Sequence, residues 1–147
     1  MHGYFNYNLY CVEYPGYGLL KHQRVGADKT QAAVHCFMSH IIDYNKVNPK
    51  SIIVVGKSIG TGFAAYITSH VNVRCLVMVS AFLSIKQVAK DMVGGMMAML
   101  VKDILRTEDN IRKVKCPVLL IHGKEDKLIS HKHSEQLIKL VKHKVKQ

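Results

Sequence analysis

Ser51-Ile52-Ile53-Val54-Val55 is an unbroken apolar run that passes directly into Gly56-Lys57-Ser58-Ile59-Gly60-Thr61-Gly62. No other part of the chain constrains its fold as tightly. A run of β-branched residues without polar alternation suits a strand covered on both faces, as in a parallel sheet. The glycines that follow let the backbone turn sharply and bring a helix close to the strand end. Similar runs recur at Leu9 to Tyr14, Arg74 to Ser80 and Cys116 to Ile121, and the first stops at the turn signal Pro15-Gly16-Tyr17-Gly18. Between them lie helical patterns. From Ala27 to Tyr44, the residues Ala33, Val34, Phe37, Met38, Ile41 and Ile42 recur at three- and four-residue steps. Further helices are expected from the glycine turn to about Ser69, from Ile85 to Leu105 with a break near Gly94-Gly95, and from Ser130 to Val145. The order β-α-β-α-β-α-β-α predicts an α/β fold with a parallel sheet in a three-layer sandwich.

With 147 residues, 48% hydrophobic and 21% charged, residues 1–147 make one domain able to bury a core. No apolar run approaches the 18 or so residues of a membrane span, and no signal peptide is read at the N-terminus, so the expected location is cytoplasmic. Cys11, Cys75 and Cys116 fall in strand-like runs and read as buried, reduced thiols; Cys36 forms no CxxC pair with any of them. The formal charge of +11 invites a nucleic acid or an anionic membrane as partner. From Arg112 to Gln147, however, ten basic residues face three acidic ones. Lys139, Lys142, Lys144 and Lys146 there read as the solvated face of an amphipathic helix. No interleaved aromatics or zinc pattern supports nucleic-acid binding, so none is expected. Loose peripheral contact with an anionic membrane through these lysines is compatible with the pattern.

Three chemistries compete for the glycine turn. The glycine that opens a Walker A loop would fall at position 51, which is Ser51, and a strand occupies the intervening residues. A dinucleotide fingerprint over Gly60-Thr61-Gly62-Phe63-Ala64-Ala65 would need its first glycine at the strand end and an acid about 20 residues later, where only Ser80 is found. Gly56-Lys57-Ser58-Ile59-Gly60 instead fits G-x-S-x-G between a strand and a helix, the setting of a nucleophile elbow. In that reading Ser58 is the nucleophile, Gly56 and Gly60 leave room for the turn, and the Ile59 N–H points at the developing oxyanion. An acid should follow on a loop after a later strand. His122-Gly123-Lys124-Glu125-Asp126 supplies that loop, with Asp126 preferred and Glu125 the fallback. His122, after a strand, reads as a buried supporting residue. His131 and His133, at a helix start, point apart and form no metal pair, and no cofactor is expected.

Four motifs in order then resemble the α/β-hydrolase family. Glu13-Tyr14-Pro15-Gly16-Tyr17-Gly18 is similar to its D/E-Y-x-G-Y-G turn, and Gly56 to Gly62 to the elbow of one branch. Ser80-Ala81-Phe82-Leu83-Ser84 resembles the motif after the next strand, and Pro117 to Ile129 the P-V-L-x-I-H-G-x-x-D-x-x-I segment. That branch includes serine aminopeptidase-like hydrolases and protein depalmitoylases. The resemblance implies Ser58 as nucleophile and Asp126 as triad acid. It implies a partial fold, core strands four to seven, in a chain truncated at both ends, with residues 84–107 as a cap-like helical segment carrying Met92, Met96, Met97 and Met99. The second oxyanion loop and the catalytic histidine would then lie outside the chain, since His2-Gly3 stands too near the G-Y-G turn to be that loop. The strand that normally lies between those of Cys11 and Val54 would be absent too. The expected activity is hydrolysis of an ester, thioester or amide through an acyl-enzyme, with a small molecule or an acylated protein as substrate. The alternative is an inactive remnant that only binds.

Overall fold

A computed structural model describes residues 7–102 and 104–142. Three parallel strands form the sheet: β1 (Ile53–Lys57), β2 (Cys75–Val79) and β3 (Val118–Ile121), in the order β1-β2-β3. Ile53 pairs with Cys75 and Lys57 with Val79; Leu76 pairs with Val118 and Val79 with Ile121. The helices are α1 (Ala27–Ser39), α2 (Gly60–His70), α3 (Ile85–Val93), α4 (Gly95–Ala98), α5 (Thr107–Ile111) and α6 (Lys132–Leu140). One π-turn, His40–Tyr44, extends α1 as the periodicity predicts.

The core lies between one face of the sheet and the helices. Leu76 and Met78 are fully buried, Val118 nearly so, and Phe63 and Ile67 of α2, Ile111 of α5 and Leu137 of α6 close over them. Val34 and Met38 bring α1 against α2. Two layers of the expected sandwich, the sheet and one bank of helices, thus lie among the described residues. The second face is not covered as the apolar runs predict. Val55 is 65% exposed, Leu119 49% and Ile121 48%. Strand alternation places these side chains opposite Val54, Leu76 and Met78.

The predicted strand Leu9 to Tyr14 does not form; its residues join no sheet ladder. A strand needs a neighbour for its N–H and C=O groups, and the strands of Cys11 and Val54 are not paired with each other. Cys11 is accordingly exposed, as is Cys36, Cys75 is half-buried and only Cys116 is buried. The stretch from Ile85 breaks at Gly94-Gly95 as expected, into α3 and α4, but the second helix ends at Ala98, short of Leu105. Gly94, at φ 85°, separates the two helices in a backbone that favours glycine. Ser84 caps α3 by accepting a hydrogen bond from the Gln87 N–H at 3.2 Å. The C-terminal helix ends at Leu140, short of Val145; Val145, Lys144, Lys146 and the His2-Gly3 pair lie outside the described residues. No described helix is long and apolar enough to cross a membrane.

Candidate active site

The carboxyl ends of the three strands carry Ser58, Ser80 and His122 side by side. The Ser58 N–H donates to the Val79 carbonyl and the Ser80 N–H to the Ile121 carbonyl, both at 2.9 Å, so the sheet's pattern runs one residue past each strand. Ser58 and Ser80 then leave it in left-handed backbone, at φ 49° and 51°. For a residue with a side chain that conformation costs about 1–2 kcal/mol, and it is met at tight functional turns.

Packing around the turn explains its glycines. A Cβ on Gly56 would stand 2.7 Å from the Gly60 carbonyl oxygen, 2.8 Å from the Ala64 Cβ and 2.9 Å from the Thr61 Cα. One on Gly60 would meet the Tyr14 hydroxyl at 3.2 Å, and one on Gly62 the Leu105 Cβ at 3.1 Å. The Ser58 carbonyl accepts from the Thr61 N–H at 2.9 Å and from the Thr61 hydroxyl at 2.6 Å, which ties the turn to the first turn of α2. The Ile59 N–H has no acceptor among the described residues. It stands ahead of α2, whose N-terminus carries the positive end of the helix dipole.

Asp126 sits in the turn after β3. Its Oδ1 accepts from the Leu128 and Ile129 N–H groups, both at 3.0 Å. The Ile129 bond is the largest influence holding the carboxyl below its ordinary 3.8; the Leu128 N–H, the Ser80 hydroxyl and the His122 ring act the same way, against an opposing effect of desolvation. Oδ2 faces the His122 Nε2 at 3.5 Å, beyond hydrogen-bonding distance. His122 is otherwise engaged: its Nε2 donates to the Ile129 carbonyl at 2.7 Å, and its Nδ1 meets the Ser134 hydroxyl at 2.7 Å. It buttresses the acid turn, as a histidine after a strand suggests. Glu125, the fallback acid, is exposed and makes no hydrogen bond or ion pair with the described residues.

The paired histidines after that turn diverge. His131 lies 3.6 Å from Glu135 on the exposed side of α6. His133 is buried; its Nδ1 accepts from the Leu83 N–H at 3.3 Å and its Nε2 donates to Asp91 at 3.0 Å. None of the described histidines is hydrogen-bonded to the Ser58 hydroxyl. Ser80 and Tyr14 support the site without a signal in the spacing; both fall in the quoted motifs, but their contacts arise only when distant segments meet.

Comparisons with known proteins bear on the fold and the family. Over 144 residues the chain is 32% identical to the protein YfhR of Escherichia coli, covering 93% of this chain and 49% of that one. It is 30% identical over 132 residues to α/β-hydrolase domain-containing protein 17C of Xenopus tropicalis, covering 87% of this chain and 40% of that one. The chain therefore spans about half the length or less of these curated relatives. Among solved structures, acetyl xylan esterase 1 of Thermoanaerobacterium superposes with a TM-score of 0.63 at 14% identity, over 80% of this chain and 44% of that one, which is a likeness of fold. Residues 20–147 match the family model described as serine hydrolase (FSH1), and with the strand-turn-helix around Ser58 in place the chain belongs to that family of α/β-hydrolases.

Proposed function

We propose that Ser58 is the nucleophile of a serine hydrolase acting on ester, thioester or amide bonds. The observation that carries this reading is the left-handed Ser58 between β1 and α2, next to the unoccupied Ile59 N–H. The Ser58 Oγ attacks the substrate carbonyl, and the negative charge gathering on its oxygen is met by the Ile59 N–H. A preorganised donor of this kind contributes about 3–4 kcal/mol in related sites. The Ser58 proton passes to a histidine supplied from outside the described residues. Asp126, with Oδ1 held by two backbone N–H groups, offers Oδ2 to that histidine's N–H and keeps the ring oriented. Collapse of the tetrahedral species expels the alcohol, thiol or amine, which takes up the proton, and leaves an acyl group on Ser58 that water removes.

The finer reading is a depalmitoylase-like thioesterase. It is supported by the resemblance of the four sequence motifs to the branch that includes protein depalmitoylases and by Met92, Met96, Met97 and Met99, whose flexible thioethers adapt to acyl chains. The substrate would then be an acylated protein, with the C-terminal lysines adding loose attraction to an anionic membrane. A second reading is a catalytically inactive member that only binds, favoured by the absence of a described histidine at the Ser58 hydroxyl. Turnover of p-nitrophenyl acetate and of an S-acyl thioester by the 147-residue chain separates them. Hydrolysis abolished by Ser58→Ala supports the first; a folded chain whose rate ignores Ser58→Ala supports the second.

A further inference from the structure

We propose that the segment Met92 to Leu100 is a membrane-docking surface that enters the headgroup region of an anionic bilayer. Between Ser84 and Ile104 the chain makes an excursion from the carboxyl side of β2 and returns; its ends are joined by a hydrogen bond from the Ile85 N–H to the Ile104 carbonyl at 3.4 Å. The tip is strongly apolar and open to solvent. Met96 and Leu100 are each 85% exposed and Met99 75%, with Met92, Val93 and Met97 also exposed. Six large apolar side chains so close together, with no covering element among the described residues, mark an interaction site rather than scattered surface residues.

The charges beside the patch choose the partner. In the sequence Lys86, Lys90 and Lys102 flank it, against Asp103 and against Asp91, which is engaged with His133. The Lys90 side chain leans on the apolar turn, its Cε 4.0 Å from where a Gly95 Cβ would stand. Apolar side chains that bury into the acyl boundary, with lysines beside them at headgroup level, complement a lipid surface of negative charge. Gly94 has open space around it and a backbone that favours glycine, which lets the tip settle against a plane.

Anchoring makes the tip a defined protrusion. Ala98 is buried at its base, Ser84 caps α3, and the His133–Asp91 contact ties α3 to α6. The surface does not depend on the catalytic reading, because its test reads partition and not turnover.

Co-sedimentation of the 147-residue chain with phosphatidylcholine vesicles, with and without phosphatidylserine, tests the proposal. The chain is expected to partition onto the serine-lipid vesicles. Met96→Gln/Met97→Gln/Leu100→Gln should weaken binding more than about tenfold, and each of Lys86→Gln, Lys90→Gln and Lys102→Gln about fivefold. All six positions are solvent-facing, so circular dichroism should be unchanged. Equal binding to neutral vesicles overturns the proposal. So does loss of binding in Lys139→Gln/Lys142→Gln or Val55→Thr/Ile121→Thr with none in the apolar triple variant. A concentration-dependent dimer that the triple variant abolishes, without vesicle binding, overturns it in favour of a second copy.

Discussion

At the scale of single residues, the turn at Ser58 is held by contacts that admit little change. Gly56 has no room for a methyl group, because two of the atoms it would meet are backbone. Gly56→Ala is expected to destabilise the chain by about 1–3 kcal/mol, the usual cost of overpacking, read as a lower urea midpoint at unchanged slope. This part of the site is legible in the chain because its causes are local: strand, glycines, serine and helix are consecutive. The Asp126 turn is legible for the same reason, its Oδ1 reaching only the next two or three residues. The support given by Ser80 is not, since the Ser80 hydroxyl and Asp126 meet only once β2 and β3 are side by side. Tyr14 is similar: its ring packs on Phe63 at 5.0 Å, a partner in another element.

Among elements, β2 carries the core and the opposite face of the sheet carries little. Leu76→Ala should cost about 2–5 kcal/mol, and Val55→Thr under about 1 kcal/mol, because Leu76 is fully buried and Val55 is mostly exposed; denaturant titration of the two variants compares them directly. Hydrophobic runs alone could not reveal this. Ile53-Val54-Val55 has the composition of a strand covered on both faces, whereas covering depends on what else packs there. The failed strand at Leu9 to Tyr14 teaches the same lesson, since β-propensity without a partner leaves hydrogen-bonding groups unpaired.

The link between α3 and α6 predicts a pH effect. Burial pushes His133 below its ordinary 6.5, with Asp91 pulling the other way and His122 adding to the depression; the Leu83 N–H faces its Nδ1 and Lys132 lines the adjoining groove. The unfolded chain therefore takes up this proton first as the pH falls. Stability from neutral His133 is complete above about pH 6.5 and is lost on acidification through the lower folded value. The thermal midpoint should fall below about pH 6.5, and His133→Ala should flatten that fall while lowering the midpoint at neutral pH by about 1–3 kcal/mol equivalent, since the Leu83 N–H loses its acceptor. A midpoint that follows the same acid profile in both proteins contradicts the assignment.

For the whole molecule, charge and shape separate into different roles. The +11 is a property of the surface and says nothing of the fold. The parallel order β1-β2-β3 gathers Ser58, Ser80, His122 and Asp126 at one end of the sheet from segments scattered between positions 58 and 126. That gathering is the reason the site exists, and strand order made its outline legible: chemistry in open parallel sheets collects at the carboxyl ends of the strands. The most direct measurement is labelling of the folded 147-residue chain with a fluorophosphonate, followed by peptide mass spectrometry. A single adduct on Ser58, lost in Ser58→Ala, is the predicted result. A chain that folds but takes up no label, or takes it up at another residue, contradicts the assignment of Ser58 as nucleophile.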